Sequence, residues 1–286
     1  MIKRMDQLPA VLCCFAYREQ YFAEMEGMLA TAREHHPTWP LIVGRGPAPG
    51  FDLPTFEVES PSGKLHWTLP VQLNADGTED DFFKIIMMKG WWMAQVWRNF
   101  GHLVESSHMR LVWSDADNRF NGPLDVELDP LSEVVAGPWW YDRENRGFDT
   151  ICSGLLMFQG AKNGVVSKLL SEWSAKCLDC IQNLPPQTKP WRDSDQEVLT
   201  AVLAAHPQAD SGYELFKLDM TKYSGCPVKD GRLVRRALID SWYMIERMRL
   251  PEYHDVDWPP PEDYRRYAPI GTPLPGWNPD EEASTE

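Results

Sequence analysis

Two short apolar runs separated by one amphipathic stretch limit what this chain can fold into more than any other feature. Ala10 to Tyr17 is continuously apolar, as a strand buried on both faces must be. From Gln20 to His35 the apolar residues Tyr21, Phe22, Met25, Met28, Leu29 and Ala32 recur at helical spacing, and Pro37 stops the pattern. Leu41, Ile42 and Val43 make a second short strand, ended by Gly44-Arg45-Gly46-Pro47. Strand, helix, strand at this spacing is a parallel βαβ unit, because parallel strands need a crossover connection. The expected fold class is α/β, with a mixed, mostly parallel sheet flanked by helices. The glycine-rich turn follows the second strand, not the first, so the Gly-x-Gly-x-x-Gly dinucleotide fingerprint is absent.

The same reading continues along the chain. Thr55 to Val58 is a third strand and Pro61 to Thr78 a loop. Phe82 to Phe100 is a helix apolar almost all round, which places it between layers. Lys84 and Lys89 interrupt it; both are expected to reach the surface along their stems, with Lys84 also a phosphate-binding candidate. Val134 to Gly137 is an apolar strand followed by Pro138-Trp139-Trp140-Tyr141, either a core plug or a stacking platform, and Asn145 to Phe148 is expected to be mobile. Leu155 to Phe158 is a buried strand entered through Ser153-Gly154, and glycine there suits close approach to a ligand. Val165 to Cys180 is an amphipathic helix, and Leu184 to Pro190 a proline-rich loop. Asp193-Ser194-Asp195-Gln196-Glu197 opens a helix running to Ala205, with acids where a helix N-terminus favours them. Tyr213 to Leu218 is a strand, and Lys229 to Arg249 is basic, as a solvated face or an anion clamp. Residues 1–250 form the expected domain; 251–286 form a proline-rich, acidic extension.

Charge narrows the partners. The net charge is -14, and from Glu252 onward nine acids and two bases carry -7 of it. The body therefore also carries -7, which disfavours a long footprint on nucleic-acid backbone without excluding a nucleic-acid acceptor. Thirteen tryptophans point to aromatic surfaces as well as core. Cys177-x-x-Cys180 has no second ligand pair at zinc spacing and is read as two ordinary helical thiols. No stretch is long enough to span a membrane and no leader is recognised, so a cytoplasmic setting is expected.

Chemistry concentrates at Arg110 to Phe120. Leu111, Val112 and Trp113 form a short strand, and Asp115 and Asp117 follow it. Residues two apart in extended backbone point the same way, so both carboxylates are expected on one side. Two adjacent anions call for a cation, and Mg²⁺ or Mn²⁺ takes carboxylates together with phosphate oxygens. Strand C-terminal ends are where open α/β sheets bind ligands. The alternative reading is a surface turn.

Four pieces in this order resemble the nucleotide-sugar glycosyltransferases of the GT-A fold. They are the N-terminal strand-helix-strand; Leu111-Val-Trp-Ser-Asp-Ala-Asp117; Ile151-Cys-Ser-Gly-Leu-Leu-Met-Phe158 with its helix; and Ser194-Asp-Gln-Glu-Val-Leu199. The last is similar to the Asp-Gln helix start of the retaining group that includes glycogenin and the lipooligosaccharide galactosyltransferases. Together they span roughly residues 10 to 250. The resemblance implies a metal-dependent transfer of sugar from a nucleotide-sugar, with UDP the expected nucleotide, to an acceptor left open among a glycan, a protein side chain and a modified nucleic-acid base. It implies Mn²⁺ or Mg²⁺ on Asp115 and Asp117. Ala16, Tyr17 and Arg18 would line base and ribose, and Ser114 and Asp115 the donor. Ser153 and Gly154 would lie near the sugar. Asp195 and Gln196 would face the reacting carbon, and Trp139 and Trp140 would stack the acceptor. The family's third metal ligand is commonly a histidine; here the comparable stretch, Ala237 to Trp242, offers Asp240, with His254 further on.

Two other readings stay open. Haloacid-dehalogenase-type phosphohydrolases also place Asp-x-Asp after an apolar strand, the first as nucleophile. A non-catalytic nucleotide-sugar or carbohydrate-binding protein fits the aromatic content equally well.

Overall fold

The computed structural model describes residues 2–73, 79–100, 108–142, 148–183, 194–219, 223, 228–229, 232–233 and 239–241. The N-terminal unit forms as the sequence dictates. After the short β1 (Lys3–Arg4), β2 (Val11–Tyr17) leads through α1 (Phe22–His35) to β3 (Leu41–Gly46), and β2 and β3 pair in parallel. β3 runs through Gly44 to Gly46, where the sequence suggested a turn. The reason is space. A β-carbon on Gly44 would lie 2.8 Å from Cζ3 of Trp92, and one on Gly46 would lie 2.5 Å from Cδ2 of Tyr17. These glycines admit aromatic rings to the sheet surface and do not bend the chain.

β4 (Thr55–Ser60) and β5 (Gly63–Thr68) form a hairpin on the β3 edge, so part of the expected 61–78 loop is strand. α2 (Glu79–Phe100) then crosses the sheet, and β6 (Met109–Ser114) returns beside β2 in parallel. β7 (Asn118–Phe120) and β8 (Glu127–Leu128) are short, and β9 (Val134–Asp142) runs on through the Pro-Trp-Trp-Tyr stretch. β10 (Phe148–Ile151) and β11 (Leu155–Gly160) are separate strands joined by the turn at 152–154. α3 (Val165–Asn183), α4 (Asp195–Ala205), the single-turn α5 (Gln208–Ser211) and β12 (Glu214–Asp219) follow. The remaining strands are β13 (Val228–Lys229), β14 (Arg232–Leu233) and β15 (Ile239–Ser241). The expectations for 145–147, 184–190 and 251–286 lie outside the described residues.

The main sheet has the order β10-β9-β11-β6-β2-β3-β4-β5, with β12 beside β9. It is mixed. β2, β3, β5, β6, β9 and β12 run one way, and β4, β10 and β11 run against them. The strand period of two splits the core into two layers. Val11, Cys13 and Phe15 face α2, α3 and α4 with Leu111, Trp113, Leu156 and Phe158. Leu12, Cys14 and Ala16 face α1 with Val112, Leu155 and Met157. The C-terminal ends of β2, β6, β9 and β12 therefore share one edge of the sheet.

Candidate active site

β6 ends at Ser114, and the next four residues turn. The amide of Asn118 donates to the carbonyl of Asp115 at 3.2 Å, and the amide of Asp115 donates to the carbonyl of Gly154 at 2.9 Å. Asn118 Nδ2 donates to Gly154 O at 2.7 Å and to Ser114 Oγ at 3.1 Å, tying the turn to the entrance of β11. Arg119, 1% exposed, donates from Nη1 to the carbonyl of Asn118 at 2.6 Å. This turn corrects the expectation that Asp115 and Asp117 leave on one side. Strand alternation holds only in extended backbone, and these residues are not extended. Asp115 faces the α2 and α4 layer, whereas Asp117 acts on Glu24 in the first turn of α1.

Lys89, in the middle of α2, joins the pieces. Its ammonium lies 2.8 Å from Asp115 Oδ1 and 3.4 Å from Asp195 Oδ2. It donates to the Ser153 carbonyl at 3.1 Å and the Ser153 hydroxyl at 3.0 Å, and sits 5.3 Å from the centre of the Trp113 ring. Trp113 Nε1 also donates to Asp115 Oδ1, at 2.8 Å. Lys89 is 5% exposed, so it does not reach the surface as expected. The segment of α2 around it is apolar on every side, which leaves the stem no outward path. Burial opposes its charge, but the carboxylates of Asp115 and Asp195 outweigh burial and hold the ammonium above its ordinary range.

Asp195 is the first residue of α4 and is 2% exposed. Ser194 caps the helix in a reciprocal box with Glu197, whose Oε2 accepts the Ser194 amide at 2.8 Å. That leaves Asp195 free of the capping role and turned inward. Trp173 Nε1 holds its carbonyl at 2.9 Å. Its carboxyl is pushed up, chiefly by burial; Lys89 and a hydrogen bond from Ser153 act against the rise, and Asp115 adds to it. Asp195 Oδ2 is buried and accepts no hydrogen bond.

Gly154 completes the opening. A β-carbon there would lie 3.4 Å from Asp115 Oδ2 and 3.6 Å from Cys152 Sγ. Glycine thus keeps the second oxygen of Asp115 uncovered, and the Asp115 side chain is 34% exposed.

The other sequence-derived residues fall in several places. Ser114 is fully buried and accepts the Asn118 side chain, and Ala16 is buried in the α1 layer. Tyr17 is half-buried against Phe56. Arg18 leaves β2 with φ of 86°, in a region that side chains other than glycine rarely adopt. Its amide donates to Gly46 O at 2.5 Å. Lys84 Nζ donates to the carbonyl of Gln72 at 3.2 Å; five residues before Lys89, it lies about 140° around the helix from it. Gln196 donates to Glu197 Oε1 at 3.1 Å. Trp139 is half-buried, and the Lys217 ammonium lies 4.3 Å from its ring centre, covering one face of the expected platform. The side chain of Trp140 and all of His254 lie outside the described residues. Asp240 stands opposite Arg119, where β15 pairs antiparallel with β7, two residues from Asp117 along the chain.

Sequence reasoning passed over Lys89 as a site residue, and also Glu24, Asn118 and Arg119. No local pattern could have found Lys89, because α2 is apolar on every side around it. Glu24 is 2% exposed, with its carboxyl raised to about 8 by burial first and by Asp117 second, while Arg119 acts against the rise.

Asp115 and Asp117 are both carboxylates, the ligand type that a hard cation takes. Among the described residues no three His, Cys, Asp or Glu side chains converge on one point.

Comparison with known proteins leaves the activity open. No protein-family model matches the chain, and neither does any curated protein. Among solved structures it is similar to the crystal structure of a glycosyltransferase involved in the glycosylation of the major capsid of PBCV-1. That likeness has 10% sequence identity, covers 76% of this chain and 84% of that one, and has a TM-score of 0.41. At that score it assigns nothing to this chain.

Proposed function

We propose that this protein is a glycosyltransferase that moves a sugar from a nucleoside diphosphate sugar, with UDP as the expected nucleotide, to a hydroxyl or amine acceptor. The observation that carries the reading is the meeting of Asp115 and Asp195, from two distant segments, around one buried lysine at the C-terminal edge of the sheet. In the transfer the bond between the anomeric carbon and the diphosphate oxygen breaks, and its electron pair leaves with the diphosphate. The acceptor atom forms the new bond to that carbon and gives up its proton. Asp195 faces the positive charge that develops on the sugar, where a preorganised carboxylate oxygen in a dry site is most effective. Its Oδ2 accepts no hydrogen bond and lies 3.4 Å from the Lys89 ammonium, which fixes the carboxylate in place. Lys89 is a positioning residue, because its three protons are engaged by Asp115 and Ser153. Mn²⁺ or Mg²⁺ on Asp115 Oδ2, with Asp117 and Asp240 joining it on a rearranged turn, would as a Lewis acid stabilise the departing diphosphate. Tyr17 and Arg18, at the end of β2, which pairs in parallel with β6, would line the nucleotide.

A melting-temperature panel of nucleoside diphosphates and their sugars, each with and without Mn²⁺, tests this. A ligand that binds only the folded chain raises the melting temperature by mass action, by about 2.7 kcal/mol of stability at a hundredfold excess over Kd. The expected result is a metal-dependent rise with one nucleotide, abolished by Asp117→Ala. No rise with any nucleotide would contradict the reading.

A further inference from the structure

The β5 edge of the main sheet carries exposed apolar residues that the chemistry does not use. β5 pairs with β4 over six consecutive residues without a bulge, and among the described residues its other edge pairs with no strand. Phe51, Leu53 and Leu65 are 47%, 50% and 40% exposed, and they make up three of the five exposed large apolar residues described. The Phe51 ring lies 4.8 Å from His66 of β5, which places that loop on the same edge.

Edge strands usually carry proline, a bulge or an outward lysine that discourages pairing. β5 has neither proline nor bulge. Its one lysine, Lys64, is drawn back onto Glu57 at 2.7 Å. Glu59 is likewise matched, by Arg45 at 3.0 Å, and Arg45 also pairs with Glu26. On a chain of net charge -14 the acids at this edge are largely matched: Arg45 and Lys64 stand against Glu26, Glu57, Glu59 and Asp52, and among the described residues only Asp52 has no ion pair. Ion pairing at this edge weakens the repulsion between two copies.

We propose that β5 is a self-association edge, on which two copies pair antiparallel about a two-fold axis at His66. An axis perpendicular to the sheet keeps equivalent faces together. Leu65 of one copy then lies opposite Trp67 of the second, and Lys64 opposite Thr68. Leu65 and Trp67 share the face of Val58 and Phe56, so the pairing extends the apolar layer across the junction. On the opposite face the two His66 rings meet between the two Phe51 rings. Lys64 faces no lysine, so the register places no fixed like charges opposite each other. A six-residue strand pair alone is short, and Phe51, Leu53 and Leu65 supply the apolar area that it lacks.

Sedimentation equilibrium of the full chain tests this from about 1 to 100 µM, since association follows mass action. The expected mass rises toward twice the 32.9 kDa of one chain. Leu65→Lys should weaken association by about tenfold or more, with an unchanged melting temperature in dilute solution. Independently, His66→Cys should give a disulfide-linked dimer on mild oxidation, beyond any formed by the wild type. A wild type at single-chain mass throughout, a Leu65→Lys variant that associates as before, or a His66→Cys variant that links no better than wild type would each overturn the proposal.

Discussion

Lys89 is the side chain on which the site geometry depends most. Removing it leaves Asp195 buried at 2% exposure with no other cation beside it among the described residues. Breaking a buried ion pair by deleting one partner costs roughly 3–5 kcal/mol, much more than an exposed pair is worth. Lys89→Met should therefore lose stability of that order in urea denaturation, and Asp195→Asn in the same chain should restore part of it. A change below about 1 kcal/mol would mean that the ammonium does not hold Asp195 in place. Glu24 gives a second prediction, with a definite sign. Its folded carboxyl is raised from 4.5 to about 8, so between those values the unfolded chain has released a proton that the folded chain keeps. Stability then falls as pH rises through this window and levels off above it, with a slope of about 1.4 kcal/mol per pH unit inside the window. Glu24→Gln should match the wild type near pH 4, be more stable above pH 8, and flatten the slope between. Equal slopes in the two proteins would contradict the burial of this carboxyl. At this scale the sequence was legible where a residue carries its role in its neighbours. Asp115, Asp195, Ser153 and Gly154 were each marked by a strand end or a helix start. Lys89 was not, because an all-apolar helix gives no periodicity from which to tell an inward lysine from an outward one.

Among the elements, α1 controls the Asp115–Asp117 turn. Arg119 lies flat against Gly27, where a β-carbon would sit 2.7 Å from the guanidinium carbon, and Thr31 Oγ1 accepts the Phe120 amide at 3.0 Å. Gly27→Ala pits two effects against each other. Alanine is the better helix former by about 0.8–1 kcal/mol. Overpacking a buried contact costs about 1–3 kcal/mol. Because Arg119 is 1% exposed and has no room to withdraw, the second effect should win. The variant is expected to melt lower and to bind nucleotide and metal more weakly, and a higher melting temperature would show that Arg119 can move aside. Element reading from sequence succeeded where the period was long and uninterrupted, as in α1, α2 and α3. It failed at β5, whose residues are mostly exposed and whose apolar alternation is confined to Leu65 and Trp67, and at Gly44 to Gly46, where glycine serves packing. It also failed at the turn after β6, where strand alternation was carried one step too far.

For the whole molecule, the fold brings together at one edge of the sheet residues that are remote in sequence: Lys89, Asp115, Ser153 and Asp195. The parallel β2-β3 pair, which the spacing anticipated, and the parallel β2-β6 pair put the ends of those strands side by side. The antiparallel β11 then delivers Ser153 and Gly154 to Asp115 from the other direction, and no local pattern announces that. No described helix is long and apolar enough to cross a membrane. That these carboxylates serve sugar transfer is tested most directly by release of nucleoside diphosphate from a panel of nucleotide-sugars in Mn²⁺, comparing the wild type with Asp195→Ala. Slow release from one nucleotide-sugar is expected of the wild type, and in Asp195→Ala a loss of at least a hundredfold (about 2.7 kcal/mol) with nucleotide binding retained. Release by Asp195→Ala at the wild-type rate, or none from any nucleotide-sugar by a wild type that hydrolyses a generic aryl phosphate, would contradict sugar transfer at this site.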